Sequence, residues 1–194
     1  PTVNEVNAMM LKLGLKIGEA GQVEVRLKSV PAANAVSYSN VITLSGTPYK
    51  ASSWIYIPAA YQNWSPATAD SLLSSTSNGI YEGIINFPDT KFEFKITPKK
   101  NWGTEYGDAG NNSFRISGDN FNVLKPGAKK VTIDMNKMKW ELAEAKTWSL
   151  IGSSTSKGWD GDTDLKFIND GTETHSLTLD LLAGEIKIRY GHDW

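Results

Sequence analysis

The feature that most constrains this chain is an internal repeat. Trp54-Ile55-Tyr56-Ile57 aligns with Trp148-Ser149-Leu150-Ile151, and Asn63-Trp64 with Gly158-Trp159. Further on, Glu93-Phe94-Lys95-Ile96 aligns with Glu185-Ile186-Lys187-Ile188, and Asn101-Trp102 with Asp193-Trp194. The order is the same in both copies. The first two tryptophans lie 10 residues apart in one copy and 11 in the other, and glutamate and last tryptophan lie nine apart in both. Four ordered matches mean one folding plan used twice. The second copy stops at Trp194, where the first still has about 40 residues to run. The expectation is one whole unit and one cut short.

Residue patterning says what the unit is. Strands are expected at 54–57, 80–87, 91–96, 113–116, 121–124, 130–135 and 139–142, with turn residues between them. Seven short, closely spaced strands argue for an antiparallel sandwich. One helix is expected at 65–73, with Ser65 as cap and Pro66 at its first position. Upstream, residues 1–14 read as a helix. Thr2-Val3-Asn4-Glu5 fits a capping box, Val6, Met9, Met10 and Leu13 follow at helical spacing, and Gly14 ends it. Residues 22–29 alternate Val23, Val25 and Leu27 against Glu24, Arg26 and Lys28, a half-buried strand; 39–45 is another, and 47–50 a hinge. One helix and two strands do not close a core. The fold class is therefore all-β, in tandem antiparallel β-sandwich domains. Residues 1–46 are expected to be the C-terminal part of one domain, 47–146 a complete sandwich and 147–194 a truncated second sandwich.

Composition removes several kinds of function. Twenty basic against 21 acidic residues leave a net charge of −1, and the only basic doublets are Lys99-Lys100 and Lys129-Lys130. No nucleic-acid partner is expected. With no cysteine, disulfides, thiolate-bound zinc and thiol catalysis drop out. Asp160-Gly161-Asp162-Thr163-Asp164 opens like a calcium loop, but Leu165 and Gly171 stand where the loop needs Gly and Glu. His175 and His192 have neither ligand nor triad spacing. No phosphate loop or nucleophile elbow is present. No cofactor and no metal are expected. Glu93 and Glu185 recur, so a glycosidase carboxylate is weighed; in alternating strands they read more simply as outward-facing polarity.

The tryptophans then decide the reading. Trp54, Trp140 and Trp148 sit in strands and are expected to pack in or beside the core. Trp64, Trp102, Trp159 and Trp194 sit in polar, turn-like segments. Large rings in loops either fold back as lids or form a contact surface, and recurrence at matched positions favours the surface. An indole face suits the C–H face of a pyranose. Removing roughly 50 Å² of apolar area per stacked sugar gives about 1 kcal/mol, so such sites are weak singly and gain from repetition. Polar rim candidates are Lys95, Lys99, Asn101, Asn112 and Arg115, and in the second copy Lys187, Arg189 and Asp193; Arg115 is favoured among them.

Residues 56–66, Gly79-Ile80-Tyr81-Glu82-Gly83, Phe92-Glu93-Phe94-Lys95-Ile96 and 101–107 resemble SusE/SusF-like outer-membrane lipoproteins of starch-utilisation systems. Ile151-Gly152-Ser153, Gly158-Trp159-Asp160 and 184–189 carry the same resemblance in the second copy, and 1–46 resembles the end of that family's immunoglobulin-like domain. Ala59-Ala60 departs from the Gly usual there. The resemblance implies tandem non-catalytic carbohydrate-binding modules on the cell outer membrane. They would be held by a lipid anchor absent from this chain, beside other glycan-uptake components. It implies a polysaccharide or oligosaccharide partner, α-glucan above all. Its aromatic pairs fall on Trp64 with Trp102 and on Trp159 with Trp194. Their polar partners fall on Arg115 and Lys95, and on Arg189 and Lys187. A structural or adhesin-type interaction module without glycan binding is the alternative.

Overall fold

The computed structural model describes residues 3–32, 35–88, 90 and 92–194. Thr2 of the expected capping box and Lys91 at the start of one expected strand lie outside them. The chain divides into two compact units, Pro1–Ala51 and Ser52–Trp194.

The first unit holds α1 (Val3–Lys12) and strands β1 (Gly21–Val25), β2 (Lys28–Ala32), β3 (Ala35–Tyr38) and β4 (Ile42–Gly46). Gly14, at φ +88°, lets the chain leave the helix through a left-handed turn. Met10 is buried against β4, where a Cβ on Gly46 would meet its Cε at 2.9 Å. Asn7 clamps the 47–50 segment: its Nδ2 donates to Tyr49 O at 3.0 Å and its Oδ1 accepts from Tyr49 N at 2.8 Å. The expected strand 22–29 is broken. β1 pairs with β4, while β2 leaves to pair with β3 as a separate, exposed ribbon. Of the three apolar residues expected on one covered face, only Val23 is buried; Val25 and Leu27 are exposed.

The second unit begins with β5 (Ser53–Ile57), a 3-10 turn (Ala60–Gln62), β6 (Asp70–Ser74), β7 (Ile80–Phe87) and β8 (Glu93–Phe94). It continues with β9 (Tyr106–Gly110), β10 (Ser113–Ile116), β11 (Phe121–Asn122), β12 (Gly127–Asp134) and β13 (Lys139–Glu144). A seven-stranded antiparallel sheet runs β5-β6-β7-β12-β13-β10-β9. Its edges curl toward each other and residues 93–97 join them. Tyr56 faces Thr97 and Ala59 faces Phe94 on one side, and Ile96 faces Tyr106 on the other. The fold class is all-β and antiparallel, as the alternation demands. Inward residues close the core, among them Ile55, Ile57, Leu72, Phe87, Val131 and Ile133. Phe94 and Phe121 stack at 4.7 Å, and half-buried Trp140 meets Phe121 edge-on at 5.1 Å.

Two expectations fail here. Residues 65–73 form no helix: a turn is followed by β6, because Leu72 is fully buried opposite Ile55 in the ladder. β9 is not among the expected strands. Gly107 is there for close backbone approach: a Cβ would lie 2.2 Å from Asp119 O.

The second copy contributes β14 (Trp148–Ile151), β15 (Thr163–Asp164), β16 (Lys166–Phe167), β17 (His175–Ser176) and β18 (Lys187–Tyr190). β14 lies between β15 and β18, with Trp148 opposite Tyr190 and Ile151 opposite Lys187. The first strand of each copy thus pairs antiparallel with its Glu-x-Lys-Ile segment. The hairpin β16–β17 reaches the first copy. β6 and β7 share one ladder pair, Leu73 with Glu82, and the Asn169 side chain enters the split. Its Nδ2 donates to Ser71 O at 2.6 Å, and the Asn169 main-chain carbonyl accepts from Trp54 Nε1 at 2.9 Å. Gly83 leaves the room, for a Cβ there would meet Asn169 Nδ2 at 2.4 Å. Trp54 and Trp148 are therefore not core residues. Ile55 and Ile57 take the inward positions of β5, and the two indoles face outward, 38% and 41% exposed.

Candidate functional site

In the second copy the four expected site residues come together. Lys187 Nζ lies 5.8 Å from the Trp159 ring centroid and 5.2 Å from that of Trp194. The Arg189 guanidinium lies 4.8 Å from the Trp194 ring. Lys187 and Arg189 point to one side of β18 because side chains alternate along a strand. Trp159 follows Gly158, whose φ of +60° makes the sharp turn, and Trp194 follows a left-handed Gly191-His192 pair. Both indoles keep exposed surface, 42% for Trp159 and 77% for Trp194. Arg189 is fixed from below, its Nε donating to Asp162 Oδ1 at 2.8 Å and its Nη2 to the other oxygen. That fork, helped by the Ser149 hydroxyl, holds the Asp162 carboxyl down to about 2. Arg189 thus serves first as a rigid plate under Trp194. Asp193 is no free rim group: its carboxylate pairs with Lys146, which holds both in their charged forms.

The first copy differs. Trp64 is half-buried in the turn after the 3-10 segment, its N donating to Ala59 O at 3.0 Å. Asp70 anchors that turn, accepting from Gln62 Nε2 at 2.7 Å and from the Tyr61 hydroxyl; burial, with Asp70 beside it, pushes the Tyr61 phenol far up. Trp102 projects from the 97–105 loop, 45% exposed, where Asn101 Oδ1 accepts from Gly103 N at 2.9 Å. Lys99, Asn101 and Gly103 line a small cleft of about 260 Å³ there. No ring contact joins Trp64 to Trp102 among the described residues. Lys95 is spoken for: its ammonium bonds to Gly118 O and lies 3.2 Å from Glu105 Oε2. Arg115 is exposed on the outer side of β10, back to back with buried Phe114. Its side chain has no hydrogen-bond or ion-pair partner among the described residues. Asn112 serves the fold, its carbonyl accepting from Trp140 N at 3.1 Å.

Two anchoring residues escaped the sequence reading, Asp162 and Glu105. Asp162 lay in the run resembling a calcium loop, and its charge is spent on Arg189. Among the described residues no group of three or more His, Asp or Glu is placed to hold a metal ion. Glu93 and Glu185 are both exposed, Glu93 accepting from Asn120 Nδ2 at 3.2 Å. No helix is long and apolar enough to cross a membrane among the described residues.

Residues 58–141 match the family model of the pullulanase X25 domain. That is a carbohydrate-binding module, a non-catalytic kind of domain, and the matched stretch runs from the turn before Trp64 to β13. No curated protein and no solved structure matches the chain. The similarity supports glycan binding in general.

Proposed function

We propose that this chain is a non-catalytic polysaccharide-binding protein. It takes starch-like α-glucan through paired loop tryptophans, as part of a lipid-anchored protein of the bacterial outer membrane surface. The observation that carries the reading is the Trp159–Lys187–Trp194 assembly, two exposed indoles gathered around one ammonium. Exposed flat apolar faces beside hydrogen-bond donors match a sugar, whose C–H face packs on the ring while its hydroxyls bond at the rim. Trp64, Trp102 and Arg115 would take these roles in the first copy, Arg115 having no side-chain partner among the described residues. The X25 match covers that first copy. Its name links the module to an enzyme of pullulan, itself an α-glucan, which favours α-glucan over other chains. The surface location rests on the SusE/SusF resemblance.

The test is titration with maltoheptaose, with a β-linked glucan oligomer as control. Binding of maltoheptaose alone, weakened by Trp159→Ala with Trp194→Ala, is the expected result. Binding of neither oligomer by the wild type refutes the reading and leaves the adhesin-type alternative.

A further inference from the structure

Asp70 is a carboxylate that the first copy does not balance by itself. It opens β6 opposite Ile57, and its side chain is only 11% exposed. Its Oδ2 accepts from Gln62 Nε2 at 2.7 Å and from the Tyr61 hydroxyl. Its Oδ1 lies against the Lys166 ammonium and meets no other donor among the described residues. Lys166 comes from β16 of the second copy, outside the stretch 58–141 that matches the X25 domain. A charge withdrawn from water needs its partner, and removing one member of the pair leaves the other uncompensated. Lys166 itself is 57% exposed, so its loss would be felt at Asp70 and at what Asp70 holds.

Asp70 holds the turn that presents Trp64. Tyr61 and Gln62 close the 3-10 segment. Trp64 N donates to Ala59 O at 3.0 Å and Ser65 N to Gln62 O at 3.3 Å, so bonds to that segment span Trp64. Asn63 and Trp64 stand at φ +54° and +57°, two left-handed residues in a row and neither of them glycine. Such a pair persists only where its surroundings fix it. The core fixes one side, with the Tyr61 ring edge-on to Phe87 at 6.0 Å. Asp70 fixes the other through charge-assisted bonds to Gln62 and Tyr61. With Oδ1 held by Lys166, the carboxylate is aimed and Oδ2 stays on the turn. The hairpin that delivers Lys166 is anchored on the next residue of β6, where Asn169 Nδ2 donates to Ser71 O.

We infer that Lys166 is a positioning residue for glycan binding at Trp64: through Asp70, the second copy braces the strained turn of the first. This rests on the reading of Trp64 as a glycan-binding ring. The experiment is calorimetric titration of maltoheptaose into the whole chain carrying Trp159→Ala and Trp194→Ala, so that the first copy is read. Adding Lys166→Met is expected to weaken binding at least about fivefold, and Lys166→Arg is expected to stay within about twofold of the parent. In an Asp70→Asn background Lys166→Met is expected to make no further difference, whereas general loosening of the hairpin would weaken binding in both backgrounds. Should Asp70→Asn not fold or not bind, the Trp64 indole N–H signal decides: Lys166→Met is expected to shift it and Lys166→Arg to leave it in place. A Lys166→Met variant that binds like its parent, a further loss in the Asp70→Asn background, or an unmoved Trp64 signal overturns the role of Lys166 and leaves the glycan-binding reading standing. A parent that binds nothing while the wild type binds overturns Lys166 together with the first-copy site. A wild type that binds no sugar overturns both this inference and the glycan-binding reading.

Discussion

At the scale of single residues, Trp64 carries backbone strain. It sits at φ +57° directly after Asn63 at φ +54°, a region that costs a bulky L-residue about 1–2 kcal/mol. Such strain persists where the surroundings hold a side chain in place for use. Trp64→Gly and Trp64→Ala both remove the ring, but only glycine relieves the backbone. The glycine variant is expected to be about 1 kcal/mol more stable than the alanine variant in urea unfolding. Equal stabilities would contradict the left-handed assignment. Asp162 offers a pH test. Its carboxyl is held at about 2, below the ordinary 3.8, by the Arg189 fork first of all. The folded state therefore binds its proton less readily than the unfolded chain does. The stability this gives is full above about pH 4–5 and is lost as pH falls toward 2. Asp162→Asn is expected to cost about 2–3 kcal/mol at pH 7. The gap to wild type should close between pH 4 and pH 2, as followed by thermal unfolding across pH; a gap constant over that range would remove the pair from the account.

At the scale of elements, the β6–β7 split is where the second copy is tied to the first. Asn169→Ala deletes the bond to Ser71 O and empties the space beside Gly83. About 1–3 kcal/mol of local stability is expected to go. Amides at 166–176 should then exchange faster while those of β12 keep their protection; equal exchange in wild type and variant would mean the hairpin is held otherwise. Gly107→Ala drives a Cβ into Asp119 O and is expected to cost more than about 2 kcal/mol in urea unfolding. These two contacts also show what sequence can and cannot reveal. β7 was legible at its observed bounds, and β12 in part, since the strand expected at 130–135 begins at Gly127, where Gly127 and Ala128 carry no apolar alternation. β6 was misread because Ser65-Pro66 imitates a helix start and the decisive contact, Leu72 on Ile55, lies across the sheet. Trp54 was expected in or beside the core because alternation alone does not say which parity faces inward. The closeness of Trp159, Lys187, Arg189 and Trp194 was legible through the repeat. The engagement of Lys95 by Glu105 was not, since that pairing depends on how the 97–105 loop folds back.

At the scale of the molecule, the repeat sets how binding adds up. On the proposed reading each aromatic pair would remove little apolar surface, about 1 kcal/mol per stacked sugar. Two such proposed places in one chain would gain through effective concentration on a long glucan, and less on a short one. Soluble starch is accordingly expected to bind more tightly than maltoheptaose, and variants that lose one pair should lose most of that difference. The most direct check is calorimetric titration of maltoheptaose into the wild type and into the variant with all four loop tryptophans changed to Ala. The expected result is at least a tenfold loss of affinity in a variant that still unfolds cooperatively. A folded variant that binds as tightly as the wild type would contradict the assignment of glycan binding to the paired tryptophans.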